Sequence, residues 1–359
     1  MKALTGFVIA LAAGLVVGGC TETPKARDGG SAPDGPVLRE DGTTPPPRDS
    51  APLPDGVQQP VPWGYFPAGA VWYQDYSQAP KHENSDAIIA WLDNAGGWGG
   101  GSMQIDFTIE VLRAGASAPI RDFNPTGDHW VPECDLDPVP VPAVGAIEGE
   151  DGYACTRDGD CHLIVVHEPT LKLYEMWRAD IVGDTFNGGC LAVWDMTRVY
   201  GDEGRGAQCT SADAAGYPIA PLLFSADEVA AGEIKHAIRF ILPNARIKNG
   251  VYVAPATHST SATSGGDNAP PYGVHLRLKA GVDISALKPG AQVVAKALKK
   301  YGMFLSDGGT IALTAQSDRF TTAKWDGLLG ARDLEDLVVS NFEVVEHGPE
   351  IAYTDNCVR

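Results

Sequence analysis

The run Met103-Gln104-Ile105-Asp106-Phe107-Thr108-Ile109-Glu110-Val111 alternates apolar and polar residues without a slip. A period of two places Met103, Ile105, Phe107, Ile109 and Val111 on one face and Gln104, Asp106, Thr108 and Glu110 on the other, as in a half-buried strand. Residues 162–167 and 171–179 read as two further strands, with Glu168-Pro169-Thr170 as the turn of a hairpin. Strand-like runs recur at 191–196, 234–242, 251–254, 272–279, 303–305, 310–314 and 341–345. Short strands in this number, punctuated by 42 glycines and 27 prolines, predict a mainly β chain folded as an antiparallel β-sandwich or jelly roll. Two or three short helices complete the expectation. Ser225-Ala226-Asp227-Glu228 has the form of a capping box with Gly232 as the stop. In 291–300, Val294, Ala297, Leu298 and Tyr301 share one helical stripe ahead of Gly302, and 333–337 offers one more turn.

The N-terminus reads as a targeting signal. Met1-Lys2 precedes the apolar run 3–17, too short to span a bilayer, and Val17-Gly18-Gly19-Cys20 resembles a lipoprotein cleavage site with Cys20 as the lipidated residue. Residues 1–19 are thus expected to be a signal peptide. Residues 20–60 are an acidic, Pro/Gly-rich tether too poor in apolar groups to fold, and 61–359 a single β-rich domain. Thr21, rather than Asp, after the cysteine points to the outer membrane of a Gram-negative cell envelope, on either its periplasmic or its outer side. Six cysteines remain in an exported chain, and an even number implies disulfides. Cys155 and Cys161 flank a turn, Cys190 and Cys209 flank a loop, and Cys134 and Cys357 are left to each other. No CxxC pair or close Cys/His cluster supports a metal site, and nothing in the chain asks for a cofactor.

Charge narrows the partners. Asp+Glu number 46 against 27 Lys+Arg, a formal charge of −19, the reverse of a nucleic-acid binder. Polyanions would be repelled overall, a local basic cleft excepted. GxSxG, HExxH and GxxxxGK[ST] are absent. What remains is carboxylates on apolar strand faces. Glu175 shares a face with Leu171, Leu173, Trp177 and Ala179, and Asp195 shares one with Leu191 and Val193. A carboxyl desolvated in this way has a raised pKa and can act as an acid at neutral pH, and two across a cleft are the machinery of glycoside hydrolysis. Pairing with Arg178 or Arg198 is the plainer role for each. His236 and Arg239 are three apart, on opposite faces of a regular strand. His258 stands at a loop mouth, and His275, Arg277 and Lys279 form a basic stripe whose plainer reading is a solvated face. A His258 or Tyr301 base beside an arginine or lysine would suit a polysaccharide lyase. The polar face 104–110 and Trp63, Trp72, Trp91 and Trp98 are candidate sugar contacts, more ordinarily a wet face and core cover.

Leu191-Ala192-Val193-Trp194-Asp195, the run Ser211-Ala212-Asp213-Ala214-Ala215-Gly216-Tyr217-Pro218-Ile219, Asp227 to Phe240, Pro255-Ala256-Thr257-His258 and Ala297 to Met303 together resemble a family of secreted actinobacterial, myxobacterial and fungal proteins. The resemblance spans roughly residues 155–345. It implies an exported single domain and points to Asp195, Asp213, Glu228, His236, Arg239, His258, Tyr301 and Asp307 as shared positions, without giving them roles. The expectation is an envelope lipoprotein acting on an extracellular polysaccharide. As a hydrolase it would use Glu175 and Asp195 as acid or nucleophile, with His236, Arg239, His258 and Tyr301 about the reacting centre. Trp177, Trp194, Asp213, Arg277, Lys279 and Asp307 would hold the substrate. A lyase, a non-catalytic glycan- or protein-binding module and a structural envelope lipoprotein are the alternatives.

Overall fold

In a computed structural model, residues 58–359 are described. The expected signal peptide, the expected lipidation site Cys20 and the expected tether up to residue 57 lie outside the described residues. The chain is mainly β, with 24% strand against 14% helix. All ten strand-like runs contain a strand, usually shorter than its apolar run: Ile105–Ile109, Leu163–His167, Lys172–Met176, Leu191–Asp195, Ile238–Leu242, Val251–Tyr252, His275–Leu278, Met303–Gly308, Leu313–Gln316 and Phe342–Val344.

Six of these form the principal sheet, in the order Ile105–Ile109, Leu313–Gln316, Ile238–Leu242, Met303–Gly308, His275–Leu278, Phe342–Val344. Two of its pairings are parallel, Ile105–Ile109 with Leu313–Gln316 and Ile238–Leu242 with Met303–Gly308, so the sheet is mixed rather than purely antiparallel. The second ladder slips: Phe240 lies opposite Leu305 and Ile241 opposite Asp307, leaving Ser306 as an extra residue. Such a bulge bends a strand and re-aims the side chains that follow. A four-stranded sheet contains Leu112–Ala114, Leu163–His167, Lys172–Met176 and Leu191–Asp195, the middle two joined through the expected 168–170 turn.

One face of this smaller sheet (Ile164, Val166, Leu173, Ala192 and Trp194) packs into the main core with Phe240, Leu276 and Phe304 of the principal sheet. Its other face (Leu163, Val165, Tyr174, Met176 and Leu191) builds a second core with Phe123 and Phe186. A sheet buried on both faces explains why its strands read as nearly continuous apolar runs.

The helices follow their local chemistry. In α2 (Ala226–Ala231), Ser225 accepts from the Glu228 amide while Glu228 accepts from the Ser225 amide, and Gly232 ends the helix at φ 84°. The 291–300 stripe sits in α3 (Pro289–Lys300), which buries Val294, Ala297 and Leu298. Residues 333–337 form hydrogen-bonded turns and no helix. A further helix, α1 (Ser85–Asn94), buries Ile88, Ile89 and Leu92; it starts at Asn84 with Asp86 in its first turn, although Asn84 makes no side-chain cap bond.

Three disulfides form, as exported chains allow, but only Cys155–Cys161 is the pair expected. The others are Cys134–Cys190 and Cys209–Cys357, in place of Cys190–Cys209 and Cys134–Cys357. Proximity along the chain misled here. Cys134 is brought to Cys190 because Asp135 bridges Leu191 as an added edge residue, and Cys357 to Cys209 because Val358 bridges Ala207. No described helix is long and apolar enough to cross a membrane.

Peptide mapping without reduction should return these three pairs, and a peptide joining Cys190 to Cys209 would contradict the topology. Cys357→Ser, which opens a loop spanning 148 residues of sequence, should lower unfolding free energy by about 2–5 kcal/mol, measurable by denaturant titration.

Candidate active site

At the centre of the principal sheet, the Ile238–Leu242 strand carries Arg239, only 3% exposed. An isolated guanidinium so placed would be prohibitively desolvated. Two carboxylates meet it. Arg239 Nη2 donates to Asp213 Oδ1 at 2.9 Å and to Asp307 Oδ2 at 3.0 Å, Nε donates to Asp213, and Nη1 reaches Thr314 Oγ1 at 3.3 Å. Burial opposes the charge on Arg239, but the two carboxylates override it and drive its pKa further up.

Asp213 comes from the loop 210–217, which is built to hold it. Ser211 Oγ donates to the Tyr217 carbonyl at 2.6 Å and accepts from the Asp213 amide at 2.9 Å, and the Ala215 amide donates to Ser306. Gly216 turns the loop at φ 81°, where a Cβ would run into Thr257. Asp307 follows the bulge at Ser306.

The three charges sum to one excess negative, and a proton resolves it. Burial, then the neighbouring Asp213 charge, push Asp307 up to about 7, with Arg239 pulling the other way and a carboxyl–carboxyl hydrogen bond to Asp213 adding to the rise. A like charge held this near disfavours ionisation of Asp307. Asp213 is wholly buried, whereas the Asp307 side chain keeps 24% of its surface open.

That open side faces a cleft of about 530 Å³. Trp130 and Trp177 stack along its wall, ring centroids 5.8 Å apart and planes 20° from parallel. Trp177 Nε1 donates to Asp160 at 3.0 Å, and Trp130 is 43% exposed. Glu133, Thr260, Tyr272 and Asn244 also line the cleft. His258 stands in it with Nδ1 2.7 Å from the Ala214 carbonyl and Nε2 3.1 Å from the Tyr353 hydroxyl, which is 2.8 Å from Asp355 Oδ1. Burial lowers the His258 pKa, against the Ala214 bond and the Glu133 carboxylate. The neutral ring then donates from Nδ1 to Ala214 and leaves Nε2 as an acceptor. Tyr353 has one proton to offer to two acceptors, so Asp355, Tyr353 and His258 form a chain along which a proton can move.

Each disulfide adjoins a wall of this cleft. Cys134 follows Glu133, Cys161 follows Asp160, Cys209 precedes Thr210, and Cys357 lies two residues past Asp355.

Among the residues expected to carry chemistry, Trp177, Asp213, Arg239, His258 and Asp307 belong to this assembly. The others do not. Glu175 pairs across strands with Ala192, on the face of Trp194, so Asp195, the next residue after Trp194, lies on the opposite face. The carboxylate pair across a groove is therefore not formed. Glu175 is fully buried, accepts from the Ile219 and Ala220 amides and from Trp194 Nε1, and is pushed up to about 7 by burial despite these donors. Asp195 accepts from the amide and hydroxyl of Thr197. Trp194 is core, and Tyr301 is buried at the end of α3 with Lys300 over its ring. His236 precedes the strand and pairs with Glu228 at 3.2 Å beside a separate cavity of about 460 Å³. Burial opposes its protonation, but Glu228 prevails and its pKa rises.

The basic stripe is largely buried, only Lys279 being half-exposed, and it does not line the cleft. His275 is buried, its pKa lowered by burial to about 3, Arg277 is tied to Glu343 and to the Tyr76 and Ala79 carbonyls, and Lys279 donates to the Ser340 carbonyl. On the 104–110 face, Glu110 is buried beside Arg319, and Trp72 and Trp98 are core. Glu150, Cys155 and Cys161 are the one metal-like cluster among the described residues, and its sulfurs are joined in a disulfide.

Sequence reasoning missed Trp130, Glu133, Asp160, Tyr353 and Asp355, which reach the cleft from loops with no periodicity. No family model, no curated protein and no solved structure matches the chain.

Asp307 and Glu175 have folded pKa values raised above their ordinary 3.8 and 4.5. The folded state then binds protons more tightly than the unfolded chain, so stability is greatest at low pH for these groups and is lost as pH rises through about 7. Denaturant titrations from pH 4 to 8 should show this decline, and E175Q with D307N should flatten it. A slope unchanged in the double variant would refute the assignment. Arg239→Met, which strands two buried carboxylates, should cost about 3–5 kcal/mol.

Proposed function

We propose that this protein cleaves glycosidic bonds of an extracellular polysaccharide in the Trp130/Trp177 cleft, with Asp307 as the general acid and His258 as the base. The observation that carries this reading is the Asp213–Arg239–Asp307 group opening onto an aromatic-walled cleft, with Asp307 as its raised, more open carboxyl. Stacked indoles present a broad apolar face of the kind that sugar rings pack against. Asp213 and Asp307 touch the same guanidinium nitrogen, closer than two carboxylates that flank a scissile bond, for which separations of roughly 5 Å or more are needed. They act as one acid. Asp307 gives its proton to the leaving oxygen as the C1–O bond breaks. Water adds to C1 and passes its proton to Nε2 of neutral His258 by way of the Tyr353 hydroxyl that faces this nitrogen, while the Ala214 carbonyl holds Nδ1. Return of that proton to the carboxyl pair through solvent restores the site.

A uronate lyase is disfavoured by the lining: Arg239 is held by Asp213, Asp307 and Thr314, and among the described residues no arginine or lysine lines the cleft to neutralise a substrate carboxylate. A non-catalytic glycan-binding module shares the aromatic wall but needs no proton on Asp307. For localisation we propose export as a lipoprotein, Cys20 carrying the lipid and 20–60 serving as a tether. Cys20→Ser should then shift the protein from the membrane to the soluble fraction.

Asp307→Asn should reduce turnover roughly 100- to 10,000-fold, with thermal unfolding still cooperative and oligosaccharide affinity within about threefold. The wild-type rate should be bell-shaped in pH, rising as His258 loses its proton and falling above about 7 as Asp307 loses its own. Reducing-end assays over a panel of polysaccharides check both. Saturable binding with no new reducing ends from any polymer would leave the binding module.

A further inference from the structure

The chemistry of the cleft lining points beyond a glycan in general to one of particular charge. Glu133, Asp160, Asp213, Asp307 and Asp355 line it, and the cations beside it are already answered: Arg239 lies beneath the surface on two of them, and Arg178, 5.5 Å from the Trp177 ring centre, pairs with Asp128 and Asp158 outside the lining. Burial lowers the His258 pKa and so disfavours a positive charge there. Asp160 and Asp355 are exposed at the cleft, and neither forms an ion pair among the described residues. Asp160 is also the residue that accepts from the indole of Trp177, so a negative oxygen sits at the edge of the stacked platform. A sugar ring lying on that platform carries its substituents outward at its rim, where this carboxylate is. The chain as a whole carries −19, which draws cations towards an acidic cleft and repels anions.

We infer that the cleft selects glycans bearing free amino groups, with Asp160 and Asp355 pairing with the ammonium substituents of sugars stacked on Trp130 and Trp177. This rests on the glycan reading above and specifies its substrate class. Acidic polysaccharides are excluded by the same carboxylates, and uncharged or N-acetylated polymers bind through stacking alone.

The test is calorimetric titration of the mature protein with β-1,4-linked oligomers of glucosamine, of N-acetylglucosamine and of galacturonic acid, equal in length. It is run at about pH 5.5, where such amines are protonated. In low salt the glucosamine oligomer should bind at least about tenfold more tightly than the N-acetylated one, and the galacturonate oligomer should show no saturable heat. About 0.5 M NaCl should erase most of the difference, since screening then acts over a few ångströms. D160N with D355N should narrow the ratio to under about threefold, and W130A should weaken both oligomers together.

Equal affinity for the two glucosamine forms, both lost in W130A, would overturn the charge selection and leave the glycan reading standing. Tighter binding of the galacturonate would overturn the selection outright. Absence of binding by all three would remove both.

Discussion

Arg239 is the charge around which the molecule is arranged. A guanidinium on the central strand of a buried sheet is tolerable only if its charge is answered at once, and the answer comes from two directions. Asp213 is delivered by a loop pinned to the sheet through Ala215 and Ser306, and Asp307 by the neighbouring strand just beyond its bulge. The same contacts fix the loop on which Ala212 and Ala214 lie. Ala212 accepts from His162, whose pKa is lowered by burial but lifted to about 9 by Glu148, and Ala214 orients His258. Structural necessity and chemical capacity are one feature here. A single cation answered by two carboxylates leaves a surplus charge, and a proton on the more open carboxyl is the least costly way to remove it.

The cleft walls meet a different constraint. They are loops, and loops held only by exposed hydrogen bonds sample many conformations. Three cross-links adjoin the segments bearing Trp130, Asp160, Thr210 and Asp355. Fixing those segments before a ligand arrives removes an ordering cost that binding would otherwise meet. The disulfides thus support the site as well as the fold, and their pairing follows the walls rather than the shortest chain separations.

Much of the fold was legible because strand periodicity is a local property. The alternation at 103–111 and the hairpin at 162–179 needed no knowledge of distant residues, and the capping box at Ser225 declared its helix outright. The site was less legible. Of the candidates named from sequence, Trp177, Asp213, Arg239, His258 and Asp307 converge, and no spacing rule brings residues of such separation together. Arg239 and His236, three apart, fall on opposite faces of a regular strand. They serve different cavities because the strand begins only at Ile238. Trp130 and Tyr353 sit in irregular segments, where composition carries no sign of direction.

The contrast between Glu175 and Asp307 shows why burial inferred from strand position is not sufficient to find an acid. Both are pushed up to about 7, and burial is the first cause for each. Glu175 faces the core, where two main-chain amides and an indole occupy its oxygens, so any proton it holds has nowhere to go. It ties the 219–222 segment to the smaller sheet. Asp307 owes part of its rise to another carboxyl and keeps a side open to the cleft. A pKa near neutrality makes an acid in either place, but only a group with a path to the ligand can act as one, and that path is set by the bulge at Ser306, a feature of strand pairing rather than of the strand alone.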